Sequence, residues 1–265
     1  MNKVVLISID GMRPDGLKLC GNAYLDELMK NSSYTFDART VFPSITLPCH
    51  LSMFHSVVPQ RHGTLNNVFA TPVRPVNGIF EQVHYAQKKA AMFYSWEQLR
   101  DISIPGCMKV SELVNIHLYP HVDEIVTENA LKCIKEIQPD FLFLYLGETD
   151  EKGGHGSGWM SQVYLDYLSR AIDCVKRVAQ EIGDDYTIIV TADHGGHDRS
   201  HGTDMDEDMT IPMFFMGSGF EKNKELDDVS ILDIAPTIAE ILGIPVPMEW
   251  EGKSVVNIKA QGENK

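Results

Sequence analysis

Three carboxylates in this chain follow short apolar runs. Asp10 ends Val4-Val5-Leu6-Ile7-Ser8-Ile9, Asp150 comes shortly after Phe141-Leu142-Phe143-Leu144-Tyr145-Leu146, and Asp193 comes shortly after Tyr186-Thr187-Ile188-Ile189-Val190. Histidines accompany two of them. His194 adjoins Asp193, with His197 and His201 close behind, and His155 closes Glu151-Lys152-Gly153-Gly154 after Asp150. Carboxylate oxygen combined with imidazole nitrogen suits zinc or manganese better than calcium or magnesium. Gly195, Gly196 and Gly202 let the backbone turn sharply around such donors. By itself the stretch Thr191–Thr203 is equally a polar loop with solvated histidines. Acids at three strand ends, two of them with histidines nearby, point instead to a two-metal hydrolytic site.

The elements that must position these residues follow from periodicity. Short β-branched and aromatic runs predict buried strands at 4–9, 34–40, 89–94, 141–146, 186–190 and 211–216, with a weaker candidate at Asn115 to Tyr119. Helical spacing predicts one helix from Pro14 through Leu25, Leu28 and Met29, and others at about 122–137, 159–182 and 231–242. A further helix starts at Thr46, with Pro48 in its first turn, so Thr46 lies at the positive end of a helix dipole. Strands alternating with helices predict an α/β fold with a mostly parallel central sheet and helices on both faces. In such sheets ligands bind beyond the carboxyl ends of the strands, where all three acids fall. His155 is expected on a flexible loop, and the tail Gln261 to Lys265 is expected to be disordered.

The 265 residues fit a single domain spanning 1–265, in which the Pro- and Gly-punctuated stretch at about 57–106 forms a short substrate-shaping region. A net charge of −14 argues against a nucleic-acid polymer or a membrane surface as partner. A small phosphate ester, nucleotides included, remains compatible if metal ions supply local positive charge. Five cysteines, odd in number and without CxxC spacing, favour reduced thiols and a cytoplasmic location. No run approaches the ~18 apolar residues of a membrane span, and the first apolar run is too short for a signal peptide. Oligomeric state leaves no trace in the sequence. His50 reads as a core or supporting histidine, and Asp204, Asp206, Glu207 and Asp208 as a solvated acidic loop, one of whose members could orient a histidine.

These motifs, in this order, resemble the alkaline phosphatase superfamily and its nucleotide pyrophosphatase/phosphodiesterase-like branch. The resemblance runs through Ser8-Ile9-Asp10-Gly11, Phe42-Pro43-Ser44-Ile45-Thr46-Leu47-Pro48-Cys49-His50, His62-Gly63 with Asn67, Thr149-Asp150 to Gly154-His155, Ala192-Asp193-His194-Gly195 and Ser200-His201-Gly202-Thr203. It implies an alkaline-phosphatase-like fold and a threonine nucleophile, matched by Thr46, between two divalent ions, zinc or alternatively manganese. One ion would be held by Asp10, Thr46, Asp193 and His194, the other by Asp150, His155 and His201, with Asn67 donating to a phosphate oxygen. Two departures stand out. One extra residue separates Asp150 from His155, and the closing histidine is either His201, whose His-Gly-Thr setting is similar to the family's, or His197.

The resemblance implies hydrolysis of phosphodiester or nucleotide pyrophosphate bonds through a phosphothreonine. Metal coordination is the reasonable way to activate a threonine that has no evident His/Asp relay. A sulfatase of the superfamily would need Cys or Ser at position 46. A phosphomonoesterase, phosphonate hydrolase or phosphomutase would share the metal site, and a metal-stabilised binding domain would bind ions without turnover. Asn67 is a neutral donor, and the nearest arginines, Arg39 and Arg61, stand where the family does not use them for phosphate. A singly charged diester is therefore the expected substrate rather than a dianionic monoester.

Overall fold

The computed structural model describes residues 3–256, and the expected disorder of Gln261 to Lys265 lies outside the described residues. One sheet organises them. Its strands are β1 (Lys3–Ile9), β2 (Ser33–Arg39), β3 (Ala90–Tyr94), β4 (Val110–Leu113), β5 (Phe141–Leu146), β6 (Tyr186–Thr191), β7 (Thr210–Met216) and β8 (Lys224–Glu225), in the spatial order β4-β3-β5-β1-β6-β7-β2-β8. From β4 to β6 every pairing is parallel, while β7 runs antiparallel to both β6 and β2. β5, β1 and β6 are buried on both faces, which is why they read as continuous apolar runs rather than alternating ones. Their register fixes the site. Ile9 lies opposite Leu146 and Ser8 opposite Thr191, so the chain leaves three adjacent strands at one level.

The helices are α1 (Pro14–Leu19), α2 (Tyr24–Asn31), α3 (Thr46–His55), α4 (Pro59–His62), α5 (Ile79–Tyr85), α6 (Val122–Glu136), α7 (Gln162–Ile182), α8 (Asp206–Met209) and α9 (Ile234–Leu242). One face of the sheet carries α1, α2, α6 and α7, and the other carries α3, α5 and α9. α7 is amphipathic: Tyr164, Leu168, Ala171, Ile172, Val175 and Val178 are buried at helical spacing, and the Ser161 side chain caps the Tyr164 N–H. α3 is different, being buried from Thr46 through Phe54. Phe54 meets Phe143 of β5 edge-on at 4.8 Å and Phe80 of α5 at 5.1 Å, which clamps the helix that carries Thr46 against the sheet.

Three expectations need correcting. The single helix from Pro14 to Met29 is two helices, because Gly21 adopts φ +72° and the Asn22 side chain accepts the Tyr24 N–H at 2.9 Å, starting α2 afresh. Asn115 to Tyr119 is a turn rather than a strand. Asn115 accepts the His117 N–H through its side chain and the Leu118 N–H through its carbonyl, and the edge strand is β4, just before it. The segment carrying His155 is no flexible loop, since Thr149–His155 winds as a π-helical turn. Within 57–106, α5 and β3 are core elements, and Cys20, Cys49, Cys107, Cys133 and Cys174 are all unpaired. No helix among the described residues is long and apolar enough to cross a membrane.

The turn leaving β5 is held from behind. Asp123, buried in the first turn of α6, accepts the Gly147 N–H at 2.9 Å and lies against Glu148, whose carboxylate pairs with Lys152. Burial, and then the neighbouring Glu148, push the Asp123 carboxyl up to about 8 from an ordinary 3.8. The folded state thus keeps a proton that the unfolded chain releases, and wild-type stability should fall as pH rises between those two values. Asp123→Asn keeps the acceptor and cannot ionise. Its stability relative to wild type should therefore rise from pH 4 to about pH 8 in urea titrations. Parallel pH profiles would refute this account.

Candidate functional site

Asp10, Asp150 and Asp193, from the ends of β1, β5 and β6, are brought together and buried. Asp10, Asp193 and His194 offer donor atoms within 4.8 Å of one another, and so do Asp150, His194 and His201. Thr46 Oγ lies 3.1 Å from His194 Nε2. His155 Nε2 stands 3.5 Å from Asp150 Oδ2, and His201 Nε2 stands 3.9 Å from Asp150 Oδ1. Thr46, Asp10, Asp150, His155 and His201 line one cavity of about 70 Å³ together with Asn67, Trp96, Ile116, Tyr145 and Glu151. All eight residues singled out by sequence therefore converge, with Asp193 and His194 forming the floor beside Thr46.

Each histidine is oriented by the backbone. Nδ1 of His194 donates to Gly195 O at 2.7 Å, that of His155 to Arg199 O at 2.9 Å, and that of His201 to Ser44 O at 2.8 Å. A neutral ring that donates through Nδ1 carries its lone pair on Nε2, and all three Nε2 atoms face carboxylate oxygens. Asp10 Oδ1, Asp150 Oδ1 and Asp193 Oδ2 are buried and receive no hydrogen bond from any described residue. Cations are what such an array accommodates, and backbone-tethered imidazoles are the usual supports of metal ligands, so the donors fit divalent metal ions.

The electrostatics agree. Burial first, and then the charges of the other aspartates, hold Asp10 and Asp150 well above the ordinary carboxylate range. At Asp193 burial acts in the same direction but is outweighed by His194 and His50, which hold it below. Burial and the neighbouring His194 bring His201 down to about 3, leaving its ring neutral, as a ligand must be.

The extra residue between Asp150 and His155 has a structural answer. An α-helical turn brings residues four apart together, whereas the wider π turn brings together residues five apart, as Asp150 and His155 are. Gly154 permits it, since a Cβ there would come within 2.6 Å of the Trp159 ring. The two candidate histidines also differ in geometry. His201 stacks on His194 at 3.8 Å, whereas His197 turns away to Asp208 at 2.7 Å.

Asp208 corrects the reading of a solvated acidic loop. It is fully buried and also accepts from the Thr203 N–H and hydroxyl, closing the loop that presents His201. Sequence reasoning missed Tyr145, whose hydroxyl donates to Asp10, because a tyrosine inside a strand buried on both faces looks like core. It also missed Trp159 and Tyr164, which both donate to Gly11 O at 2.9 Å and fix the turn after Asp10. His50 is buried, bonded to Thr46 O at 2.8 Å and 3.5 Å from Asp193, a supporting place as expected.

The model for the type I phosphodiesterase / nucleotide pyrophosphatase family matches residues 4–211. The chain is 26% identical over 273 residues to the human GPI ethanolamine phosphate transferase 2 catalytic subunit, covering 95% of this chain and 27% of that protein. It thus spans about a quarter of that relative's length. Among solved structures it is similar to an inactive form of murine ectonucleotide pyrophosphatase / phosphodiesterase 5 in complex with AMP, at TM-score 0.79 and 15% identity, over 93% of this chain and 96% of that one. It is also similar to a phosphonate monoester hydrolase from Silicibacter pomeroyi, at TM-score 0.77 and 16% identity, over 96% and 76%. Both likenesses are of fold.

The repulsion among the aspartates has a measurable consequence in metal-free protein. Asp150→Asn should raise the melting temperature of EDTA-treated protein and reduce the further rise produced by zinc. A variant that melts lower than wild type without metal and gains equally from zinc would contradict the two-cation assignment.

Proposed function

Because the chain belongs to the type I phosphodiesterase / nucleotide pyrophosphatase family, we propose that it hydrolyses phosphodiester or nucleotide pyrophosphate bonds by way of a phosphothreonine at Thr46. The observation that carries this reading is the position of the Thr46 hydroxyl, at the start of α3, 3.1 Å from His194 and within the cavity that Asp10 and Asp150 line. Asp10, Thr46, Asp193 and His194 would hold one divalent ion, and Asp150, His155 and His201 the other. Zinc is the preferred assignment and manganese the alternative. When bound, the ions supply Lewis acidity, which makes the threonine hydroxyl a competent nucleophile and steadies negative charge on the departing oxygen.

Thr46 Oγ attacks phosphorus, the P–O bond to one ester group breaks, and that group leaves as an alcohol or phosphate. Water then attacks the phosphothreonine, and the P–Oγ bond breaks to return Thr46. The backbone aims the hydroxyl, because α3 is clamped by Phe54 and Phe143 and its first-turn Leu47 N–H is held by Asn67 Oδ1 at 3.0 Å. That bond orients the Asn67 amide so that its Nδ2 hydrogens are available to a non-bridging phosphate oxygen.

The cavity lining favours a diester. Among the described residues that line it there is no lysine or arginine. Arg39 is engaged by Asp206 and Thr210, and Arg61 by Arg74 O and Glu249. A dianionic monoester would find no cationic side chain for its extra charge.

Two measurements test the reading. Thr46→Ala should lower kcat by roughly a thousandfold or more while Thr46→Ser keeps part of the rate. Wild-type turnover in Thr46→Ala would replace the covalent route with direct attack by water. At saturating zinc, bis(p-nitrophenyl) phosphate should show a higher kcat/KM than p-nitrophenyl phosphate, and the reverse order would point to a phosphatase or mutase.

A further inference from the structure

Trp159, between the π turn and α7, is buried and stands outside the cavity lining. Three glycines from three loops face its indole. A Cβ on Gly154, beside His155, would come within 2.6 Å of the ring, and one on Gly196, shortly after His194, would overlap it more deeply. One on Gly11, next to Asp10, would stand 3.2 Å from the ring and 3.0 Å from Asp150 Oδ1. The indole thus fills the space in which the loops leaving β1, β5 and β6 meet, and those loops carry every proposed metal ligand except Thr46.

Hydrogen bonds and ring contacts extend that packing to the donors of both ions. The indole N–H donates to Gly11 O at 2.9 Å, and the N–H of the same glycine donates to Asp193 Oδ1 at 3.3 Å. The backbone N–H of Trp159 donates to Asp198 O at 2.8 Å, which joins it to the loop before His201. Its ring meets His155 edge-on, at 5.3 Å and 85°, and His201 at 6.0 Å and 64°. Asp193 belongs to the donor set of one proposed ion, and His155 and His201 belong to that of the other. A group that orients metal ligands typically changes affinity by roughly 10- to 100-fold when it is removed, although it touches no ion.

We propose that Trp159 is a positioning residue common to both ions. It holds Asp193, through Gly11, and the His155–His201 pair in a single arrangement, so its loss weakens both ions together. This inference rests on the two-ion reading of the site and concerns a side chain that supplies no donor to either ion.

The test is zinc binding measured by competition with a chromophoric chelator, alongside the melting temperatures of the EDTA-treated proteins. Trp159→Phe removes the indole N–H and the outer edge of the ring while keeping an aromatic group in the core. It should bind each of the two zinc ions about tenfold more weakly, or worse. Leu168→Ala, a cavity in the buried face of α7, serves as the comparison for lost packing alone. It should lower the metal-free melting temperature and leave both zinc affinities unchanged. Wild-type affinity for both ions in Trp159→Phe, or weakening of one ion only, would overturn the shared role. So would an equal loss of zinc affinity in Leu168→Ala. Should Trp159→Phe fail to fold, Gly154→Ala decides by the same criterion, because it keeps the tryptophan but displaces it. Gly154 adjoins a donor of one ion only, so weakening of the other ion as well must come through the indole. Fewer than two zinc ions bound by wild type would overturn the two-ion reading and this inference with it.

Discussion

Three aspartates buried side by side repel one another, and the rest of the site is arranged around that repulsion. Carboxylates removed from water usually gain hydrogen bonds or lose their charge. Here one oxygen of each is left without a donor, in a pocket whose histidines are tethered through Nδ1 and turn Nε2 toward it. Metal cations relieve both strains at once. The carbonyls of Gly195, Arg199 and Ser44 act in the same sense, since each commits an imidazole to the tautomer that can bind a cation.

The sheet makes such a concentration of charge tolerable. β5, β1 and β6 are fully enclosed strands whose register is fixed by packing on both faces, so their ends cannot drift apart to relieve the repulsion. Second contacts stiffen each exit. Tyr145 holds Asp10, Trp159 and Tyr164 hold Gly11, Asp123 holds the turn before Asp150, and Asp208 holds the loop before His201. Most of these supports come from elements far away in sequence.

Charge also separates the floor of the cavity from its wall. The floor gathers carboxylates suited to cations, while the wall offers Trp96 and Glu151 and, among the described residues, neither lysine nor arginine. Arg13, the arginine nearest in sequence to Asp10, is tied to Asp15 and to Gly196 O. A phosphate ester in this cavity would then meet positive charge on bound ions, which fits a family whose superfamily uses divalent metals.

The sequence by itself determined the strand ends and the residues placed on them. Apolar runs locate Asp10, Asp150 and Asp193 because strands buried on both faces must be continuously apolar, and such strands in a parallel sheet must share one carboxyl edge. Thr46 was legible from the helix start around Pro48 together with the motif that surrounds it. Local rules failed where local and distant forces compete. An Asx turn at Asn115 displaced the predicted strand into β4, and Gly21 broke a helix that periodicity would have continued. Only the tertiary structure separates the surroundings of His201 from those of His197, because stacking against His194 and the bond to the buried Asp208 are not encoded in spacing. It also decided how Asp150 reaches His155, where a π turn packed on Trp159 absorbs the extra residue.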